Sequence, residues 1–362
     1  MSDISILDKD LVNGFLSDRV IIHAPNVHAG GGLVLLNSLL RNWPEKLNLT
    51  ALLDIRAREK IIIPEGSSVT WIHPKILSRL SAEFTLSRAV AGGGDVLCFH
   101  GLPPLLPCKS RVFIFLQNRL LIESIKWHQY KVKTRVRLAI ERLLLRLGRN
   151  KITSFIVQTP SMLRALKKWQ VSLASETPVR VLPFVDMPVV AASCDVSDGW
   201  DFVYVADGEA HKNHRALVVA WQLLAQDGLH PSLALTLSPR DAVLKRELED
   251  LAIEAGLRIK DLGQMPHEKV LSLYSTAKAM IFPSISESFG LPLVEAMRLG
   301  LPILASELDY VRDVCSPVHT FDPTSPVSIA RAVKRFLGVP EPALRLLTAQ
   351  EFWQELRLDS RT

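Results

Sequence analysis

Apolar and polar positions along this chain follow two alternating patterns. Short β-branched or aromatic runs at residues 20–24, 49–54, 69–73, 96–100, 112–117, 155–159 and 179–184 are separated by longer stretches with helical periodicity. Such apolar runs joined by crossover-length helical segments predict a mainly parallel sheet. The pattern lapses over residues 185–199, which are rich in Pro, Ala, Ser and Asp and have no sustained period, as a linker would. It restarts at Phe202, with strands predicted at 202–206, 233–237, 259–262 and 279–283 and helices near 215–225 and 241–255.

The result is an α/β chain of two doubly wound units of similar size, with a cleft between their strand ends, where such sheets bind ligands. The division expected is a first Rossmann-like domain over 1–185, a linker over 186–200, a second domain over 201–338 and a tail over 339–362. In the tail, Thr348 and Glu351 form a capping-box pattern ahead of Phe352, Trp353 and Leu356, predicting a short final helix. No internal repeat or low-complexity tract interrupts this plan.

Length and composition agree with two cores: 362 residues at 48% hydrophobic content suit two domains of ordinary size. Cys98, Cys108, Cys194 and Cys315 lie far apart, with no C-x-x-C pair and no histidine at ligand spacing. Reduced cytoplasmic thiols are expected, with neither a disulfide framework nor a zinc site. Residues 1–10 are polar and acidic, and no stretch runs eighteen apolar residues without a charge. The expectation is a chain neither exported nor membrane-spanning.

Charge changes the picture more. Residues 109–168 carry fifteen Lys and Arg against Glu123 and Glu141, so this segment is +13 in a chain whose total is +6. One basic region on an otherwise acidic protein is a footprint for an anionic partner, either a phosphorylated substrate or a lipid surface. Within it Val132, Val136, Ile140, Leu143 and Leu147 recur at helical spacing, with Lys131, Lys133, Arg135, Arg137, Arg142 and Arg146 between them and Trp127 and Tyr130 nearby. Two readings stand open. The helix packs its apolar side into the core, or it docks on an anionic membrane, where each basic residue near the surface adds about 1 kcal/mol. The stretch has no recognised nucleic-acid-binding motif, and nucleic acid is not expected as a partner.

The most informative chemistry lies in residues 282–300, FPSISESFGLPLVEAMRLG. A strand ends at Pro283, a loop follows, Pro292 suits the first helical position and Gly300 the stop. Glu287 is then in the loop and Glu295 in the first turn of the helix. The N–H groups of Ser288, Phe289 and Gly290 point into the space ahead of the helix, where its dipole favours an anion or a hydroxyl-rich ligand, and Gly290 permits close approach. Taken alone, Glu295 is equally well explained as a complement to the helix terminus and Glu287 as a solvated loop acid.

The longer string Pro-Ser-x-x-Glu-Ser-Phe-Gly-Leu-Pro-x-x-Glu-Ala-Met, continued by Gly-Leu-Pro-Ile-Leu-Ala-Ser over 300–306, resembles the Glu-x7-Glu signature of retaining glycosyltransferase family 4, the glycosyl transferases group 1. The resemblance implies the GT-B fold: two Rossmann-like domains facing across a cleft, with the nucleotide-sugar in the C-terminal domain and the acceptor against the N-terminal one. It implies transfer of a hexose, such as mannose or glucose, from a UDP- or GDP-sugar with retention. By position, Glu287 with Ser288, Phe289 and Gly290 contacts the transferred sugar, and Glu295 binds the nucleotide ribose, where charge-assisted bonds to vicinal hydroxyls are strong.

Lys212 and Asn213 match the Lys-Asn of the family, in which the lysine neutralises the donor diphosphate and so stabilises the departing nucleotide. Without that context a loop lysine is usually just solvated. Many relatives carry an arginine five positions earlier, where this chain has Asp207. Either the loop differs, or His211, His214 or Arg215 substitutes, or activity is weak. No pyridoxal-phosphate lysine motif accompanies the site, which argues against a phosphorylase.

On the N-terminal side, residues 25–37 form a glycine loop opening a helix, an anion cradle or a plain turn. The resemblance sets this loop, and with it Gly31 and Gly32, beside the donor phosphates and the acceptor. His100 ends a strand at the proposed cleft. It is either structural or, by the resemblance, a catalytic group contacting the donor sugar. Gln117, Asn118 and Arg119 follow another strand and are expected on the acceptor side. Retention without an evident nucleophile fits a same-face displacement in which the leaving diphosphate takes the acceptor proton and Glu287 orients. The one Asp-x-Asp, Asp8-Lys9-Asp10, precedes the first strand and makes a poor metal site, so neither metal nor other cofactor is expected. The implied setting is a lipid-linked or growing glycan in bacterial surface polysaccharide or lipopolysaccharide biosynthesis, with the enzyme cytoplasmic and peripheral on the inner face of the membrane. From another class, a non-catalytic GT-B subunit that binds glycan or lipid and steadies a partner would account for Asp207.

Overall fold

Two all-parallel sheets carry the chain. The computed structural model describes residues 17–123, 130, 132–185, 199–339 and 348. Asp8-Lys9-Asp10, Trp127, Lys131, Cys194, residues 186–198 of the expected linker and the final helix of the tail lie outside the described residues.

In the first unit the strands are β1 (Arg19–Ala24), β2 (Asn48–Asp54), β3 (Ser68–Ile72), β4 (Asp95–Cys98), β5 (Val112–Phe115), β6 (Ser154–Val157) and β7 (Val179–Val181). The helices α1 (Gly30–Arg41), α2 (Ile76–Ala91), α3 (Val132–Leu147) and α4 (Pro160–Val171) join them. In the second, β8 (Phe202–Tyr204), β9 (Leu233–Leu235), β10 (Ile259–Asp261), β11 (Ala279–Phe282), β12 (Ile303–Ser306) and β13 (His319–Phe321) alternate with α5 (His214–Gln226), α6 (Ala242–Glu254), α7 (His267–Thr276), α8 (Leu291–Arg298), α9 (Asp309–Arg312) and α10 (Pro326–Phe336).

Strand order is β3-β2-β1-β4-β5-β6-β7 in one sheet and β10-β9-β8-β11-β12-β13 in the other. Each order reverses direction once, between β1 and β4 and between β8 and β11. At such a switch point the loops leaving two adjacent strands diverge to opposite faces and open a crevice. The topology alone therefore brings together the β8 and β11 loops, which carry Lys212 and Glu287.

Every predicted strand is present, but most end one to three residues early, as at Phe115, Val157 and Tyr204. Apolar residues continue past the ladder because the loops they belong to are themselves covered: Phe99, Leu116 and Leu237 are buried although they lie beyond their strands. The second unit has one large core, with Trp221, Tyr204, Tyr274 and Tyr310 at its centre. The first unit has a core on each face of its sheet, one of them built with α2, α3 and α4.

The basic helix α3 packs against the core, but not through the residues expected to do so. Leu138 and Leu145 are its buried anchors. Val132, Val136, Ile140, Leu143 and Leu147, the positions that suggested a core-facing side, are each more than half exposed. They fall on the helix face opposite the anchors, because their spacing is close to multiples of 3.6. Lys133, Arg137 and Arg146 are exposed beside them. The neighbouring α2 repeats the arrangement, with Leu77, Leu80 and Phe84 exposed and Ala82 and Leu86 buried in the same core cluster.

Candidate active site

The loop following β8 turns through a left-handed residue, Asn213 (φ +63°), into α5. Asparagine tolerates this conformation because its short amide can bond locally. Here its side chain donates to the carbonyls of Pro283 at 3.2 Å and Pro323 at 2.7 Å, tying the β8 loop to the end of β11. The Tyr204 hydroxyl donates to the Lys212 carbonyl at 2.7 Å. Asn213 and Tyr204 thus hold the turn from which Lys212 projects.

Lys212 Nζ meets Glu287 Oε1 at 2.5 Å, and the Ser284 hydroxyl donates to the same oxygen at 2.8 Å. Burial works against both charges. For Lys212 the nearby Glu287 and Asp207 outweigh it and raise the ammonium above the ordinary lysine range. For Glu287 the Lys212 charge outweighs it and lowers the carboxyl. The pair is ionised, and each group neutralises the other.

None of the proposed substitutes for the missing arginine supplies a second cation. His214 is buried against the Tyr204 ring, at 4.9 Å between centroids, and burial pushes its pKa down to about 3. Burial and the Lys212 charge lower His211 as well. Arg215 turns outward, paired with both oxygens of Glu247 at 2.6 Å. Asp207 is exposed at the mouth of the loop.

The β11 loop ends at Gly290 (φ +77°), a left-handed position for which glycine is suited, and α8 begins at Leu291 with Pro292 second. Glu295 therefore lies in the second turn of α8, a correction to its placement in the first. It is 5% exposed, and both oxygens are engaged: His267 Nε2 donates to Oε1 at 2.9 Å and the Tyr274 hydroxyl to Oε2 at 3.3 Å.

Between Glu287 and Glu295 the chain serves a second purpose. Phe289, Leu291 and Val294 are buried in the core cluster of the first unit, beside Ile22, Leu35 and Phe115. Ser288 is stitched to that unit by three bonds. Its hydroxyl donates to the Gln117 carbonyl and accepts the Arg119 N–H at 3.2 Å, while its carbonyl accepts the Thr159 hydroxyl at 3.1 Å. The Arg119 guanidinium reaches the Glu287 carbonyl at 3.4 Å and pairs with Glu123 at 2.7 Å. Asn118 accepts the Leu120 N–H at 3.1 Å and caps a short turn.

Gly31 and Gly32 lie in the first turn of α1 against this seam. A Cβ on Gly31 would stand 2.8 Å from Leu291 Cδ1, and one on Gly32 would stand 3.1 Å from Gln117 Oε1. Gly31 thus leaves room for Leu291 of the facing unit, and Gly32 for Gln117 of its own unit. His100 follows β4 at the first switch point, and its Nδ1 donates to the His23 carbonyl at 3.0 Å. Burial pushes its pKa down to about 4. The ring is neutral at physiological pH, and because a carbonyl only accepts, Nε2 carries the free lone pair.

Sequence reasoning missed His267, Tyr274 and Thr159. Each acts on a residue 21 to 129 positions away, and no local spacing encodes such a contact.

Two Rossmann-like units meeting across paired switch points define a GT-B architecture. The same arrangement occurs in the HepE protein of Anabaena solved with UDP and glucose, with a TM-score of 0.65 at 13% identity over 88% of this chain and 89% of that one. It also occurs in the sucrose-phosphate synthase of Thermosynechococcus elongatus, with a TM-score of 0.62 at 17% identity over 88% and 90%. Residues 195–349 match the family glycosyl transferases group 1, and the second half of the chain is a domain of that family. Among its relatives are the O-antigen chain mannosyltransferase B of Escherichia coli, 34% identical over 116 residues, and the 2-deoxystreptamine glucosyltransferase of Streptomyces kanamyceticus, 30% identical over 118. Each match covers 31% of this chain and 30% of the relative.

Proposed function

We propose that the chain is a retaining glycosyltransferase that moves a hexose from a UDP- or GDP-sugar to a lipid-linked or growing glycan. The observation that carries this is the buried Lys212–Glu287 pair at the β8/β11 switch point, at 2.5 Å. A lysine there suits a donor diphosphate, and on departure of the nucleotide it stabilises charge that grows as the glycosidic bond breaks. Donor entry frees Glu287 from Lys212 to accept hydroxyls of the transferred sugar. Glu295 then takes the ribose, and the lone pair on His100 Nε2 takes a further sugar hydroxyl. Glu287 orients and does not attack. The leaving diphosphate removes the acceptor proton on the same face, and no metal ion takes part.

The domain match to glycosyl transferases group 1 and the O-antigen mannosyltransferase among the relatives support a surface-polysaccharide or lipopolysaccharide setting, with mannose or glucose as the sugar. The exposed apolar stripe of α3, flanked by Lys133, Arg137 and Arg146, suits docking on an anionic cytoplasmic membrane face. A second reading has one observation in its favour: with Asp207 in place, none of His211, His214 and Arg215 gives Lys212 a second positive charge. On that reading the chain is a GT-B subunit that steadies a partner without turning over.

One experiment separates the two. Thermal unfolding in a panel of UDP- and GDP-sugars, each far above its dissociation constant, should show a stabilisation of a few kcal/mol, about 2.7 at a hundredfold excess. Release of UDP or GDP with acceptor present, unchanged by EDTA and lost in Lys212→Met, marks the enzyme. Stabilisation without release marks the subunit, and a melting curve unmoved by every donor rejects a nucleotide-sugar site.

A further inference from the structure

Glu295 is the residue on which the nucleotide reading depends, yet it is not free. Its Oε1 accepts from His267 at 2.9 Å and its Oε2 from Tyr274 at 3.3 Å. The two donors differ in where they sit. Tyr274 is buried in the core of the second unit, beneath the carboxylate. His267 opens α7, and its side chain is 29% exposed. Of the two, the imidazole is the group on the solvent side of the carboxylate.

Each carboxylate oxygen offers two lone pairs. With one on each taken by protein, one on each remains, and two vicinal hydroxyls can use them only if the carboxylate plane is held still. Tyr274 fixes one oxygen from below and His267 fixes the other from the rim. We propose that His267 is the positioning residue of the nucleotide subsite: it holds Glu295 so that the remaining lone pairs meet the ribose of a nucleoside diphosphate. This rests on the assignment of Glu295 to the ribose made above.

Charge adds a signature. The groups facing the imidazole are Glu295 and Tyr274 beneath it and Glu268 on its own helix. The bond to Glu295 raises the His267 pKa against the effect of burial, and the charges of Glu295 and Glu268 add to it. The bond to the carboxylate is charge-assisted with either form of the ring, and protonation adds the attraction of a second, opposite charge. The contribution to nucleotide affinity is present where His267 is protonated in the folded chain and is lost as pH rises through its raised value.

The test is calorimetric titration of the full chain with UDP and GDP and their 2′-deoxy forms, from about pH 5.5 to about pH 8.5. His267→Ala should weaken binding about tenfold, the equivalent of one charge-assisted bond, and should erase most discrimination against the 2′-deoxy nucleotide. His267→Gln, whose amide still donates to Glu295, should restore discrimination but lack the gain in affinity toward low pH. Comparing wild type with His267→Gln cancels the titration of the nucleotide's own terminal phosphate.

Glu295→Ala tells the two failures apart. If it binds both nucleotides as wild type does, or if wild type binds neither, the ribose assignment is wrong and the proposal falls with it. If Glu295→Ala is weakened while both His267 variants match wild type in affinity and pH profile, the ribose assignment stands and His267 has no part in it.

Discussion

Lys212 and Glu287 illustrate why a pair of charges at a binding site is read differently from a surface salt bridge. Their side chains are 16% and 12% exposed, so solvent screens them little. Removing one leaves the other buried and uncompensated, which destabilises by about 3–5 kcal/mol in comparable pairs. Glu287→Ala should therefore damage folding as well as function, and Glu287→Gln, which keeps shape and a hydrogen bond, is the cleaner probe. The carboxyl is lowered in the folded chain, so its contribution is present above the ordinary carboxylate range and is lost as pH falls through the lower folded value. Urea unfolding at pH 7 should show wild type more stable than Glu287→Gln, with the gap narrowing as pH falls below the ordinary value of about 4.3. A gap unchanged in acid would mean that the ion pair is not its source. His100 makes the opposite prediction. With a pKa of about 4 it does not change charge between pH 5 and pH 8, so His100→Asn should lower turnover while leaving the shape of the pH–rate profile over about pH 5–8 unchanged. A basic or acidic limb that disappears in the variant would contradict the neutral ring inferred here.

At the scale of the element, α3 carries a separate prediction. Its stripe of Val132, Val136, Ile140, Leu143 and Leu147 is exposed, while Leu138 and Leu145 anchor the opposite face. Val136→Asp with Ile140→Asp should leave the melting temperature near wild type, since no core contact is lost, yet abolish flotation with vesicles containing anionic lipid. Flotation unaffected by that pair of changes would remove the membrane from the proposal. The same helix marks where the sequence was legible and where it stopped being so. Periodicity located α3, α5 and α6 and every strand it named, because local spacing is what a helix or strand is made of. It could not say which apolar face of α3 is buried, because Leu138 and Leu145 are two leucines among several and the sheet decides between them. Nor could it end the strands, because Phe99 and Leu116 are buried by neighbours remote in sequence. At the site, the Glu-x7-Glu string located the β11 loop, with Pro292 within one residue of the start of α8. The partnership of His267 with Glu295 bridges two helices and left no local trace.

Across the whole molecule, the loop that carries the proposed donor contacts is also the seam between the two units. Glu287 faces Lys212 in the second unit, while Ser288, Phe289 and Leu291, one to four residues further on, are bonded to or packed against the first. Relative movement of the units must therefore be felt at the Glu287 carboxylate. Gly31 offers a way to test this without touching either charged group. An alanine there gains about 1 kcal/mol in helix propensity and meets Leu291 Cδ1, the mobile end of a side chain, at 2.8 Å. Those effects oppose each other, and Gly31→Ala should be close to neutral in thermal unfolding. A valine adds two methyl groups that Leu291 cannot avoid by a rotamer change alone. Overpacking of this kind costs about 1–3 kcal/mol when the surroundings are rigid. A seam between two units has another way to yield, because the start of α8 can shift and the cleft can open. Gly31→Val should accordingly increase the radius of gyration measured by X-ray scattering and weaken UDP or GDP binding, while far-ultraviolet circular dichroism stays that of wild type. If nucleotide affinity and radius are both unchanged, the seam does not govern the geometry of Glu287, and the two jobs assigned to this loop are independent.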